Sequence, residues 1–338
     1  MGRVSRRSFL QTTITGAAVS ALTSHGLGQN PGEGLPTRRL GRTDQQVSIL
    51  CLGGGHIAAV GNQDEKLAIR MMHRAIDEGV NFFDTAWAYG EGYSEELIGK
   101  ALKVGKRQKV FLMTKNSGRD KEFAQKCLED SLRRLQVDHI DLWQFHEINW
   151  DNDPDWVFEK GGLKVALEAQ KAGKVRFIGF TGHKDPRIHI KMLSKGYEWA
   201  TAQMPINAMD YFYRSFQKEV VPVCLTRDIG IIGMKSLGGG GREGGIILTN
   251  TKLTPAQCLR FALDVPISSL VRGWMTMDQM MADIRTARDF KPLTEIEKGE
   301  ILMLAEPHAG DGRYELFKST QRFDNPLYRK MHGFPAES

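Results

Sequence analysis

Residues 67–103 read LAIRMMHRAIDEGVNFFDTAWAYGEGYSEELIGKALK. The first part, residues 67–79, places apolar side chains three and four positions apart and closes on Gly79, the pattern of a helix with its C-cap. Residues 80–83 are a short apolar run, as expected of a strand buried on both faces. A glycine-rich turn follows, and residues 94–103 return to helical spacing. The stretch is therefore one strand handing over to one helix, and the chain repeats it. Strand candidates fall at residues 47–52, 80–83, 110–113, 140–145, 175–180, 200–204, 229–234 and 267–271. Helical spacing fills residues 67–79, 94–103, 123–135, 163–173, 188–196, 216–225, 255–264 and 277–290. Eight such units in about 250 residues, with no linker-like break, predict a single (β/α)8 TIM barrel. A doubly wound open sheet is the rival. It is disfavoured because no G-x-G-x-x-G opens a helix after the first strand.

The outer limits of the domain follow from composition. The chain has 338 residues, 41% hydrophobic and 25% charged, which is the balance of a soluble globular protein. Residues 1–28 carry Arg3, Arg6 and Arg7 and no acid, and contain SRRSFLQ followed by the short apolar run ITGAAVSAL. This is the pattern of a twin-arginine (Tat) signal peptide, with Gly26-Leu27-Gly28 as a small-x-small cleavage site. It implies the Tat translocase as a partner during export and a periplasmic location. No segment is apolar over enough length to predict a membrane span. Removing the leader lowers the formal charge from +6 to +3, too little to argue for nucleic acid. Residues 29–36, QNPGEGLP, form a linker, the barrel is expected over 37–292, and 293–338 reads as a helix and a polar tail. Cys51, Cys127, Cys224 and Cys258 are far apart with no C-x-x-C, the pattern of buried small hydrophobes instead of a metal site.

In a barrel of this kind reactive groups sit where strands end. Four ionisable side chains fall there: Asp84 and Tyr89 after the second strand, Lys115 ending the third and His146 ending the fourth. Each alone has a structural explanation as a cap, a packed aromatic, a surface cation or a buried histidine. Together they make chemical sense. A phenol near pKa 10 donates poorly at neutrality unless a cation stabilises its phenolate. Lys115 supplies that cation, Asp84 pairs with Lys115, and His146 orients a carbonyl oxygen. Such an acid, without a metal or a nucleophilic serine, fits proton delivery coupled to hydride transfer.

The segments RRLGRTDQQVSILCLGGG, DTAWAYGEGYSEELIGKAL, FLMTK, DLWQFH, GKVRFIGFTGH and AQMPIN, in this order over about residues 37–240, resemble the aldo-keto reductase family. The resemblance implies the barrel fold, a tetrad of Tyr89, Asp84, Lys115 and His146 with Tyr89 as general acid, and NADP, or NAD, as cofactor. It places Thr181 and Gln203 on the nicotinamide carboxamide, with Gly182 where the family usually has Asn. Met234, Lys235, Ser236, Leu237 and Gly238 replace a family segment that begins with a tyrosine stacking on nicotinamide. Gly238–Gly241 and Gly244-Gly245 suit close approach to a pyrophosphate, or simply a mobile loop. Arg272 and Gln279 correspond to the grip on the adenosine phosphate, and Asp283 stands where Asn is usual. Trp87, Trp143 and His183 flank the expected pocket as substrate contacts.

The resulting expectation is an NAD(P)-dependent oxidoreductase acting on a small carbonyl or alcohol, such as a sugar or an aromatic aldehyde. Two alternatives are a catalytically weak nucleotide-binding barrel and a metal-dependent barrel built around His146-Glu147 and His183. The second lacks further ligands in the local sequence, and no metal is expected.

Overall fold

The computed structural model describes residues 34–239, 244–321 and 323–336. The expected signal peptide and most of the linker lie outside these residues.

The chain enters through an antiparallel hairpin, β1 (Thr37–Arg39) paired with β2 (Gln46–Ser48). Eight parallel strands follow: β3 (Leu50–Gly53), β4 (Phe82–Asp84), β5 (Phe111–Asn116), β6 (Ile140–Phe145), β7 (Val175–Thr181), β8 (Thr201–Pro205), β9 (Gly230–Met234) and β10 (Ser269–Arg272). Each pairs with the next, and β10 closes on β3, so the sheet is a barrel. Closure excludes the open doubly wound sheet. The residue 47–52 run is divided: Val47 and Ser48 belong to the hairpin and the barrel strand begins at Leu50.

The two faces of the strands bury different layers. Leu40 and Val47 of the hairpin join Cys51, Phe82, Met113, Leu142 and Ile232 in the barrel interior, so the hairpin plugs the end of the barrel opposite the strand termini. The alternate residues Trp143, Phe145 and Phe180 face outwards under the helices, where Trp199 packs on Phe180 with ring centroids 5.2 Å apart. All four cysteines are buried and free.

The helices lie between strands as expected, with four differences, one of them the short added helix Ile246–Asn250 before β10. Gly54–Gly61 forms a helix directly after β3, where no helical spacing was expected. The helix expected over 216–225 is broken into Phe216–Glu219 and Val221–Thr226, because Pro222 cannot donate into the preceding turn. Asp153–Glu159 is an added helix after β6, with Pro at its first turn. Past the capped helix Glu295–Ala305, two short helices, Leu316–Ser319 and Pro326–Met331, cross the mouth of the barrel beside β6 and β7. Tyr328 is fully buried there and its hydroxyl meets Ser117 Oγ at 2.7 Å. Residues 316–321 and 323–334 are thus a strap over one side of the mouth.

Candidate active site

β4, β5 and β6 end side by side, and this brings the four expected groups together. Lys115 Nζ pairs with Asp84 and donates to Thr85 O at 2.7 Å, which fixes the ammonium beneath the mouth. Tyr89 Oη lies 3.5 Å from Lys115 Nζ, and the edge of its ring meets the His146 ring at 5.4 Å. Asp84 and Lys115 are nearly free of solvent, and each gives the other the opposite charge that a buried ion needs.

Electrostatics here differ from the expectation in one respect. Burial first, then the carboxylates of Asp84 and Glu147, hold the Tyr89 phenol well above 10, so desolvation outweighs the neighbouring ammonium. Tyr89 therefore keeps its proton at neutral pH. Burial and the cations Lys115 and Arg119 push His146 well below its usual range, so its ring is neutral. Burial lifts Asp84, while Lys115 and then Gln203 pull it down.

The loop carrying Tyr89 is held from behind. Gly90, Glu91 and Gly92 all have positive φ. At Gly92 a Cβ would lie 2.3 Å from the Arg134 guanidinium, so only glycine lets Arg134 reach under the loop. Arg134 donates to Trp87 O at 3.1 Å and to the buried Glu95 at 3.2 Å. Trp87 itself turns away from the mouth. Its indole donates to Asp130 at 3.1 Å and packs edge-on to Phe123, on the helix Lys121–Leu135. Trp143 points outwards from β6 into the layer beneath the helices. Neither reaches the substrate side, because both indoles serve the packing between sheet and helices.

On the other side of the mouth, Thr181 and Gln203 stand in register at the ends of β7 and β8. Gln203 Nε2 donates to Asp84 at 3.2 Å and faces the Met234 sulfur at 3.8 Å, while its Oε1 is buried without a partner. A carboxamide N–H is a matching donor for that oxygen, so the residues present fit a nicotinamide. Gly182 has a steric cause: a Cβ there would lie 2.3 Å from Ile148 O and 2.9 Å from His189, so an Asn does not fit this backbone. Ser236 Oγ accepts from Arg272 Nη1 at 2.8 Å. The rest of that guanidinium is bound to Asp283, which also accepts from Trp274 at 2.7 Å. Arg272 is thus already paired. Gln279 is exposed, and its side chain accepts from Met275 N at 2.9 Å, within its own turn. Leu237 O accepts from Ile247 N and Gly238 N donates to Lys235 O, so this segment folds on itself. Gly240 and Gly241 lie outside the described residues.

His183 does line the mouth, in a cluster the local sequence did not reveal. Its ligating atom, with those of Glu147 and Asp324, lies within 4.8 Å of the others. The structure therefore gathers Glu147 and His183, although His146 is not part of the group. Asn149 Nδ2 donates to His183 Nε2 at 3.1 Å and to Asp324 at 3.3 Å, and Lys184 pairs with Asp324 at 2.7 Å. Asn149 and Lys184 thus tie His183 and Asp324 into one hydrogen-bonded network. Glu147 was legible only as the residue after His146. Asp324 comes from the strap, 175 residues from its partner Asn149, and no local pattern announces it.

A single sheet closed on itself, with a Tyr–Lys–Asp–His group at its carboxyl rim, defines a hydride-transfer barrel more narrowly than the fold does. Residues 49–280 match the Aldo/keto reductase family, and the chain belongs to it. It is by class a nicotinamide-dependent oxidoreductase. The relative "Uncharacterized oxidoreductase YrpG" of Bacillus subtilis (strain 168) is 32% identical over 235 residues, covering 62% of this chain and 69% of that protein. "Aldo-keto reductase YhdN" of the same organism is 41% identical over 171 residues, 47% of each chain, so the match spans about half of that relative. Among solved structures, an aldo/keto reductase from Klebsiella pneumoniae in complex with NADP and acetate is similar in fold, with a TM-score of 0.63 at 23% identity, covering 80% of this chain and 95% of that one.

Proposed function

We propose that the protein interconverts a carbonyl and an alcohol with NADP(H), and that Tyr89 is the group that gives and takes the proton. The observation that carries this is the Tyr89 phenol 3.5 Å from a lysine that is itself paired to a buried aspartate. In the reducing direction Tyr89 starts protonated, which is the state its surroundings favour. As the carbonyl oxygen gains negative charge, it takes that proton. The phenolate left behind faces the Lys115 ammonium, which stabilises it most at the moment the charge appears. Neutral His146 is placed to donate a hydrogen bond to the same oxygen. A bound nicotinamide supplies or accepts the hydride. Support for NADP comes from the Klebsiella pneumoniae relative whose structure contains it.

Replacing Tyr89 by Phe removes one oxygen and keeps the ring packing. We expect kcat for aldehyde reduction to fall roughly 10²–10⁴-fold with the melting temperature nearly unchanged. A Tyr89→Phe enzyme as active as wild type would end the assignment, and equally negligible rates in both would point to a nucleotide-binding barrel. The twin-arginine segment supports export of the folded protein through the Tat translocase to the periplasm, with the cofactor loaded beforehand. Fractionation of cells expressing wild type and the Arg6→Lys/Arg7→Lys variant, with mass spectrometry of the native protein, tests both points. The variant should stay in the cytoplasm, and periplasmic wild type should carry nucleotide.

A further inference from the structure

The end of the barrel opposite the mouth carries a charge that neither the fold nor the proton transfer uses. Residues 102–110, 136–139 and 171–174 lead into β5, β6 and β7, and these connections lie side by side because the strands do. Ile140 N donates to Lys174 O at 2.9 Å, and Arg107 donates to His139 O at 3.1 Å. Arg107 and Arg176 share the buried carboxylate of Asp141 at 2.7 and 2.5 Å, so the three connections form one surface. They hold Lys103, Lys106, Arg107, Lys109, Lys171 and Lys174 against a single acid, Asp138, which is engaged with His139 at 2.6 Å. Among the described residues none of these lysines pairs with a carboxylate. Val104 stands at the tip, 97% exposed and with φ 55°. A β-branched residue is strained in that region, where glycine or asparagine is at ease, and an exposed valine adds nothing to the core. A Cβ at Gly105 or Gly173 would meet no atom within 4 Å, so both turns project into open space.

We propose that this face docks on an anionic lipid surface, with Val104 entering the headgroup layer, the lysines on lipid phosphates and the mouth of the barrel turned away into solution. The docking is independent of the reductase reading. The phosphates of a nucleic acid would pair with the lysines and leave Val104 facing water. An acidic protein would have to supply a concavity for a projecting turn. A headgroup layer answers both features, since it yields to an apolar side chain and its charges move laterally to meet the ammonium groups. Each lysine near such a surface strengthens binding about fivefold. The attraction fades over a Debye length of about 8 Å in physiological salt, which confines it to this end of the barrel. Beyond residue 28 the chain carries a formal charge of only +3, so it is the placement of the lysines, not the total charge, that makes the surface.

The test is sedimentation of the full-length chain with vesicles of phosphatidylcholine alone and with vesicles in which a third of the lipid is phosphatidylglycerol. Every protein compared keeps the leader, so its own affinity for lipid cancels. Wild type should partition onto the anionic vesicles and lose most of that binding in high salt. Lys103→Gln/Lys106→Gln/Lys109→Gln should bind about 100-fold more weakly. The control Lys66→Gln/Lys121→Gln/Lys330→Gln removes the same charge from exposed positions on the mouth side and should stay within a few-fold of wild type. Val104→Asn separates strain from binding: it should raise the melting temperature, because Asn accepts the left-handed region, and yet weaken vesicle binding several-fold. Wild type that binds both vesicles alike, loop variants that bind as wild type does, or a control weakened as much as the loop variant overturns the proposal. So does tighter binding to a duplex oligonucleotide than to anionic vesicles, sensitive to the lysines and indifferent to Val104, which would assign the face to nucleic acid.

Discussion

Tyr89 and Lys115 show how burial decides which protonation state a residue brings to its chemistry. The phenol is held protonated by desolvation, and the ammonium beside it matters when charge develops. Lys115→Met should therefore lower kcat roughly 10²–10³-fold, the usual loss for removing one preorganised electrostatic group. It also strands Asp84, and breaking a buried pair costs about 3–5 kcal/mol. Asp84→Asn/Lys115→Met should recover much of that stability in urea unfolding without recovering activity. Full activity in the single variant, or no stability gained by the double, contradicts this account. Glu147 gives a prediction in pH. Its folded value of about 8 lies above the ordinary 4.5, so the folded protein holds a proton that the unfolded chain releases between these values. The stability this gives is complete below about 4.5 and is lost as pH rises towards about 8. Glu147→Gln should flatten unfolding free energy against pH across that window. An unchanged slope would place the proton elsewhere.

Among the elements, the strand ends are where local rules and remote contacts meet. All eight strands were legible, because a parallel strand covered on both faces must be a continuous apolar run. That Asp84, Tyr89, Lys115 and His146 converge on one rim was legible for the same reason, since a polar residue ending such a run has few structural uses. Other features depend on contacts that sequence spacing does not encode. Gly54–Gly61 is helical despite its glycines because Ile57 and Val60 bury against the core. Trp87 and Trp143 were expected at the mouth from their closeness to Tyr89 and His146. Which face an indole takes depends on helix partners such as Asp130 and Phe123. Gly182 carries a prediction at this scale. Overpacking of a Cβ against Ile148 O should cost about 1–3 kcal/mol. Gly182→Asn is expected to lower the melting temperature and leave cofactor affinity no better than wild type. A stabilised protein with tighter nucleotide binding would show that the β7 end relaxes freely.

For the molecule as a whole, the barrel and the strap make the site jointly. The barrel supplies Tyr89, Lys115, Asp84 and His146, and the strap supplies Asp324, Phe317 and Tyr328, whose ring edge meets His146 at 5.6 Å. Lys318 anchors the strap by fully buried bonds to Asp210 at 2.7 Å and Glu315 at 3.0 Å. Lys318→Met leaves two carboxyls without their cation. Amide exchange over residues 306–336 should then accelerate while protection of the barrel strands holds. Uniform acceleration over both would mean that strap and barrel open as one unit. The strap also has a consequence for biosynthesis. Its residues leave the ribosome after every strand of the barrel, so a nascent chain can close its sheet and assemble the proton-transfer group while one wall of the cavity is still untranslated. Closure of that side of the mouth is then the last step the growing polypeptide completes, and a product terminated before the strap would lack the Tyr328 contacts with Ser117 and His146.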